Sequence, residues 1–342
     1  MPREEAVALP VSRDSGVRLD WPGRPDGWPE VPRRHPAPRW QRLEAWPGSG
    51  IRGAFHEGDN LDLLVTLAAT ASASVDVVYM DPPFAVGQAF HYRPPGSSQP
   101  ARPAYDDRWE GGLGGYLAVM AERLPLVRDV LAPRGFLFVH CDWRTEAYWR
   151  VLLDEVFGRS CFRNAIAWRR APNLGRQAAS RQLGRVLDTI LVYARSPDAE
   201  FPGPHPERVQ VLPVDARGRP RGARWDEERQ AWYTLAPRGD YSDASLVRLR
   251  SEGRVHESSR GGLSIKYFLE QDADGRWFRR QRLDCLWDDE GVRPLRHVAR
   301  SEVQGYETQK PEGLLERILR WAAPPGGLVL DPWSGSGTTA AV

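Results

Sequence analysis

The chain has almost no lysine: of its 47 basic residues only Lys266 and Lys310 are lysines, and arginine carries the rest of the positive charge. The planar guanidinium fork suits phosphates and base edges, but a GC-rich coding sequence gives the same bias, and that compositional explanation takes the larger share. Positive and negative charges nearly balance, at a formal net +2. Cysteine is also scarce. Cys141, Cys161 and Cys285 lie far apart, without a C-x-x-C pair or a neighbouring histidine cluster. This argues against a zinc site or a disulfide framework, so no metal is expected and a reducing cytoplasm is the default location. Long hydrophobic runs are missing too. The first thirty residues carry acids and prolines instead of an apolar signal segment, and no later run approaches a membrane span, so a soluble, intracellular protein is expected.

What is present falls into four parts. Residues 1–48 form a Pro/Arg/Trp-rich arm with Trp21, Trp28, Trp40 and Trp46 and no helical or strand period, expected either to pack through its tryptophans or to stay loose. Residues 49–195 have α/β texture. Ile51 to His56 reads as a short strand, and Glu57-Gly58-Asp59-Asn60 as a turn that caps a helix from Leu61 to Ala69. Val75 to Met80 reads as a buried strand delivering Asp81 at its C-terminal end, where open α/β sheets bind ligands. Residues 85–112 read as a long loop placed to close over a substrate. Helices are expected over Leu113 to Leu131 and Arg144 to Phe157, and strands over Phe136 to His140, Ala165 to Arg169 and Thr189 to Tyr193, an alternation that predicts a doubly wound sheet. Over residues 196–300 the pattern is lost, apart from short helical pieces expected at Ser245 to Ser251 and Ser264 to Glu270. Residues 301–342 return to α/β: a helix from Glu312 to Ala322, then a strand from Gly327 to Leu330 that leads into a glycine-rich loop.

Two segments carry chemistry. Asp81-Pro82-Pro83-Phe84 is a proline-stiffened turn ending in an aromatic, suited to gripping a flat ring that bears an amine. An exocyclic amine is a poor nucleophile because its lone pair is delocalised into the ring. Asp81 can accept one amine hydrogen, the carbonyl of Pro82 can accept the other, and Phe84 can stack on the ring for roughly 1 to 3 kcal/mol. Asp331-Pro332-Trp333-Ser334-Gly335-Ser336-Gly337-Thr338-Thr339 follows the last strand and allows close backbone approach to a nucleotide-like cofactor. Alone, Gly335-x-Gly337-x-x-Ala340 also fits a dinucleotide pattern, and D-P-P-F could be an ordinary tight turn.

Taken together, the two segments resemble the amino-methylating DNA methyltransferases of bacteria, which act on adenine N6 or cytosine N4. The aromatic tetrapeptide precedes the glycine loop, the order of the circularly permuted beta group of that family. The resemblance spans residues 51 to 342. It takes in Glu57 to Leu61, Phe136 to Asp142, Val186 to Ala194, Lys266 to Leu269, Leu286 to Asp289 and Thr308-Gln309-Lys310-Pro311. It implies a Rossmann-like, circularly permuted fold with an irregular target-recognition insertion at residues 196–300. It also implies S-adenosylmethionine (SAM) as cofactor, held by Asp59, Asn60, Thr308, Lys310, Asp331, Pro332, Gly335, Ser336, Gly337 and Thr338. Thr308 and Lys310 would meet the methionine carboxylate, while Asp81, Pro82, Pro83 and Phe84 would form the catalytic turn. Asp at the head of the tetrapeptide favours adenine N6 over cytosine N4. His140 and Asp142 match a family pattern and are read as structural.

Implied partners are double-stranded DNA, a restriction subunit and a second copy of the chain. The sequence departs from the family at Ala85, where Asn is common, at Leu187, where His is common, and at Glu307, where Pro is common. The acid that holds the cofactor ribose is expected about 20 residues beyond the glycine loop, so the chain is expected to stop short of it and to bind SAM poorly. A non-catalytic DNA-binding subunit and a dinucleotide-dependent oxidoreductase stay open as other readings.

Overall fold

The computed structural model describes residues 17–22, 24, 40–45, 53–172, 181–239, 241–297 and 300–342. It divides into two compact units, residues 1–205 with 284–342, and residues 206–283.

In the first unit the elements up to the insertion are β1 (Trp40–Ala45), β2 (Ala54–Gly58), α1 (Asn60–Thr70), β3 (Val75–Met80), β4 (Ala89–Tyr92), β5 (Arg102–Asp106), α2 (Gly112–Val130), β6 (Leu131–Cys141), α3 (Glu146–Phe157), β7 (Phe162–Arg169) and β8 (Leu187–Ala194). The second unit contains β9 (Glu207–Val211), β10 (Arg224–Asp226), β11 (Ala231–Pro237), α4 (Asp243–Ser251), β12 (Val255–Glu257), β13 (Leu263–Phe268), β14 (Glu270–Gln271) and β15 (Trp277–Arg282). The chain then returns through β16 (Leu286–Trp287), α5 (Glu312–Ala322), β17 (Val329–Leu330) and α6 (Thr338–Ala341).

The central sheet has the order β16-β7-β8-β6-β3-β17. β16 runs parallel to β7, β3 to β6 and β17 to β3, while β8 is antiparallel to both its neighbours. Side-chain alternation separates its two faces. Leu137, Val139 and Cys141 of β6, with Val78 and Met80 of β3, enter a core shared with Leu64, Leu124, Trp149 and Leu152 from α1 to α3. On the opposite face Phe136 stacks on Phe201, which stacks on Trp321 of α5, and Phe138 meets Trp321 edge-on. Helices thus cover both faces, as the alternation predicts. This parity also places Tyr79 and His140 together on the α5 face.

Local signals explain several boundaries. The Asp59 side chain caps α1 by accepting from Leu61 N–H at 2.9 Å. Trp21 of the N-terminal arm is buried, and Arg24 pairs with Glu155 at 2.6 Å, so this part of the arm docks on the first unit. Trp28, Trp46 and Ile51 lie outside the described residues.

Residues 85–112, read from sequence as a loop, contain the hairpin β4–β5. Phe90 and Tyr105 stack across it with centroids 4.9 Å apart. The hairpin is fastened to the segment before α5: Arg93 N–H donates to Gly305 O at 3.0 Å and His91 N–H donates to Glu307 Oε2 at 3.0 Å. Gly305 has φ +81°, and a Cβ there would lie 1.7 Å from Arg93 O, so only glycine fits this approach.

The second unit is more regular than its sequence pattern. It holds a four-stranded sheet, β10-β11-β13-β12, and a three-stranded sheet, β14-β15-β9. The helix expected near Ser245 is α4. The one expected over Ser264 to Glu270 is instead strand, because Ile265 is buried under α4 while the next residue, Lys266, bonds Asp226 at 2.7 Å, a period of two.

Candidate active site

The two chemistry-bearing segments meet at the edge of the central sheet. β3 and β17 are adjacent and parallel, so Asp81 and Asp331 leave neighbouring strand ends. One cavity is lined by Asp81, Pro82, Pro83 and Phe84 from the first turn and by Asp331, Gly335, Ser336 and Thr338 from the second, with Thr308 and Lys310 between them. Tyr105 and Tyr306 add aromatic wall, their rings stacked 6.2 Å apart.

Lys310 Nζ donates to Asp81 Oδ2 at 2.5 Å and stands 5.2 Å from the centroid of Phe84. The other oxygen, Asp81 Oδ1, is buried and accepts no hydrogen bond. A buried acceptor without a donor is costly unless a ligand supplies one.

Asp331 closes the glycine loop on itself, accepting from Trp333 N–H at 3.0 Å and from the Thr339 hydroxyl at 2.5 Å. Desolvation pushes its carboxyl up to about 7; the Thr339 hydrogen bond opposes the rise and the Asp81 charge adds to it. Two glycines with positive φ, Gly335 at +53° and Gly337 at +84°, turn the loop, and Ser336 and Thr338 hydroxyls lie 3.1 Å apart. Thr338 also donates to Lys310 O at 3.0 Å, tying the loop to the lysine segment.

Three expected cofactor residues sit behind this wall, outside the cavity lining. Asn60 donates to Pro332 O at 3.0 Å and accepts from Arg123 Nε at 2.6 Å. Arg123 also holds Asp59 at 2.8 Å. Asp59, Asn60 and Pro332 therefore brace the base of the glycine loop. Gly337 faces an outer cleft that it shares with Tyr92, Gln304 and Gln309.

Behind Phe84 runs a buried polar chain. His140 stacks on Phe84 at 5.8 Å and 24°; its Nδ1 is 3.0 Å from the Tyr79 hydroxyl and its Nε2 is 3.3 Å from Asp188 Oδ2. Burial raises the Tyr79 hydroxyl well above the usual phenol range, with Asp81 adding to the shift, so it stays neutral. The sequence marks His140 as structural without revealing that it backs the aromatic of the tetrapeptide.

Asp107 gives no sequence signal. It is fully buried and accepts from Ala85 N–H at 3.0 Å, Val86 N–H at 2.7 Å and Trp109 Nε1–H at 2.7 Å. This clamp holds Ala85 at φ +55°, a left-handed conformation costing an alanine about 1 to 2 kcal/mol. The asparagine common in the family at this position tolerates it better. Ala85→Asn is expected to stabilise the protein by about 0.5 to 1 kcal/mol, visible as a higher thermal midpoint; a lower midpoint would count against strain at Ala85.

Residues 75–342 match the family model described as DNA methylase. The chain belongs to the DNA methylase family. Relatives include the type II methyltransferase M.EcaI of Enterobacter cloacae, 28% identical over 280 residues that cover 77% of this chain and 58% of that protein. The Mod subunit of the type III restriction-modification enzyme StyLTI of Salmonella typhimurium is 24% identical, covering 84% of this chain and 49% of its own length. The chain thus spans about half the length of the curated relatives it matches. Among solved structures, the cytosine-N4-specific PvuII DNA methyltransferase is similar at 15% identity and a TM-score of 0.42, covering 83% of this chain and 74% of that one.

Membership of the DNA methylase family sets aside the dinucleotide oxidoreductase reading of the glycine loop. Among the described residues no group of His, Cys, Asp and Glu could hold a metal ion, and no helix is long and apolar enough to cross a membrane.

Proposed function

We propose that this chain transfers a methyl group from SAM to an exocyclic amine of a base flipped out of double-stranded DNA, preferring N6 of adenine to N4 of cytosine, as the modification component of a site-specific restriction-modification system. One observation carries the reading: the buried, unpartnered Oδ1 of Asp81 beside Phe84, in a cavity whose far wall is the glycine loop.

The residues present fit the cofactor. The left-handed turns at Gly335 and Gly337 leave the loop backbone bare toward the cavities, and Ser336, Thr338 and Thr308 offer hydroxyls there. These residues, with Asp331, would hold SAM. When bound it supplies an electrophilic methyl group on sulfur.

The chain's own contribution is to make the amine reactive. Asp81 Oδ1 accepts one amine hydrogen and the Pro82 carbonyl, its chain stiffened by Pro83, accepts the other. Both draw the nitrogen out of conjugation towards tetrahedral geometry. Phe84, backed by His140, stacks on the ring and offsets part of the few kcal/mol needed to extrude a base. The aromatic wall of Tyr105 and Tyr306 excludes water from the reacting atoms.

Residues 206–283 are proposed to read the DNA sequence, and the name of the StyLTI relative supports a restriction subunit as partner. A second copy of the chain is a further proposed partner.

Incubation of the chain with duplex DNA and methyl-labelled SAM at concentrations high enough to fill a weak cofactor site, followed by nucleoside mass spectrometry, is expected to give N6-methyladenine. N4-methylcytosine would overturn the base preference, and no transfer at all would overturn the enzymatic reading in favour of a non-catalytic DNA-binding subunit. Phe84→Ala is expected to lower base capture, read by 2-aminopurine fluorescence, by about tenfold or more, matching roughly 1 to 3 kcal/mol of stacking. SAM affinity should change little, and Phe84→Tyr should be tolerated; an unchanged 2-aminopurine signal for the alanine variant argues against stacking.

A further inference from the structure

Among the described residues the cavity is lined by three carboxyls and one cation; Asp107 is taken up by the N–H groups of Ala85, Val86 and Trp109, which leaves Asp81 and Asp331 to Lys310. Asp81 and Asp331 leave adjacent strand ends, and Lys310 is the basic side chain that lines the space between them. Its side chain is buried, 9% exposed, and its ammonium engages one oxygen of Asp81 while the other has no partner. Thr308 O, at 3.4 Å, helps hold the ammonium in place.

We propose that Lys310 is a positioning residue for methyl transfer: by holding Asp81 Oδ2 it fixes the carboxylate as the anion of the site and reserves Oδ1 for the hydrogen of the incoming amine. The assignment rests on the function proposed above and differs from a role for Lys310 in holding the cofactor carboxylate.

The number and geometry of the donors decide it. A carboxylate oxygen can accept two hydrogen bonds, but one already engaged by a charged donor is a weaker and more crowded acceptor, so an oxygen left free is the better seat for an amine hydrogen. A lysine ammonium is a compact point charge and engages one oxygen. An arginine would meet both in a two-pronged pair and fill the seat of the amine. In this arginine-rich chain, lysine at position 310 is the basic residue whose geometry leaves Oδ1 free.

Removing the ammonium would leave Asp81 and Asp331 in one cavity without the cation that lowers the Asp331 carboxyl, so the pair would hold a proton at higher pH. The other ionisable groups around Asp81 do not replace it. Tyr79 on the same strand, Tyr105 from β5 and Tyr306 beside Lys310 are all raised by burial and stay neutral. His140 on β6 is engaged at both ring nitrogens by Tyr79 and Asp188.

The test compares Lys310→Met and Lys310→Arg in the whole chain, at saturating SAM and duplex DNA, across pH. Lys310→Met is expected to lower kcat by about 10²-fold near neutral pH, with SAM and duplex affinities within threefold of the parent. The acid limb of its pH profile should move to higher pH, so that activity recovers partly in alkaline buffer. Lys310→Arg, which keeps the charge, is expected to be impaired as severely. If Lys310→Met does not fold, the arginine variant alone decides.

Near-parental turnover by Lys310→Arg, an unmoved pH profile for Lys310→Met, or a loss confined to SAM affinity would each overturn the assignment. Absence of transfer by the parent chain would instead overturn the proposed function, so the two failures are distinguishable.

Discussion

Asp81→Ala is expected to abolish methyl transfer, with kcat reduced by at least about 10³-fold, while the cofactor wall around Gly335 and Thr338 keeps most of its affinity for SAM. The proposed acceptor of the amine hydrogen is lost, and the Pro82 carbonyl alone would not hold both hydrogens. The same change strands a buried ammonium. Lys310 is 9% exposed and its salt bridge is to Asp81 at 2.5 Å, so removing the carboxylate should destabilise the fold by about 3 to 5 kcal/mol. Activity and stability can be separated by a second change. In Asp81→Leu with Lys310→Met, an apolar pair replaces the ion pair, and thermal denaturation should return close to the parental midpoint. Transfer should remain absent. Single-turnover assays, titration calorimetry with SAM and melting curves read the three quantities independently. Near-normal turnover by Asp81→Ala would falsify the role of the carboxylate, and a double variant as unstable as the single one would show that the stranded charge is not the cause.

The second large effect is expected at Asp107, which lines the same cavity but has its side-chain bonds to Ala85, Val86 and Trp109. Its two oxygens satisfy three N–H donors, from Ala85, Val86 and the Trp109 ring. Asp107→Ala leaves all three unmet in a fully buried place. At about 1 to 3 kcal/mol for each unsatisfied group, and with incomplete additivity, a loss of about 4 kcal/mol is expected. Asp107→Asn is the finer test. Its amide oxygen can keep the two donors now shared by Oδ1, but its NH2 then faces Val86 N–H, so one contact turns repulsive and the loss should be about half as large. Because the clamp holds the residue after Phe84 in its left-handed conformation, either variant should also weaken capture of the extruded base before it weakens SAM binding. Equal melting midpoints for parent and Asp107→Asn would remove the clamp from the account.

Much of the scaffold was legible because its signals are local. Val75 to Met80 is apolar except for Asp76 and bounded by a turn, and it forms a buried inner strand. The Asp59 cap, the strand at Thr189 to Tyr193 and the α5 helix after Pro311 each follow from a few neighbouring residues. The hairpin in residues 85–112 was hidden by Pro94, Pro95, Gly96 and Pro100, which read as loop, whereas the pairing that makes it a hairpin comes from its anchor at Gly305 and Glu307. The helix expected at Ser264 failed for a related reason: a period of two is hard to see in Ser-Ile-Lys-Tyr-Phe until Ile265 has a helix to pack against and Lys266 has Asp226.

The sequence by itself determined that Asp81 to Phe84 is a proline-stiffened turn and that the loop after Asp331 turns on glycines, because prolines and a pair of glycines restrict the backbone wherever they occur. It also determined the alternation of strands and helices that builds the sheet. Only the tertiary structure decided that Asp331 stands beside Asp81, that Lys310 takes one oxygen of Asp81 and leaves the other unpartnered, that His140 backs Phe84, and that Asp107 clamps the turn from 21 and 22 residues away. These relations depend on strand order and on which face each side chain takes. Both are settled by burying the apolar surface of the whole sheet at once, and no short stretch of chain contains that information.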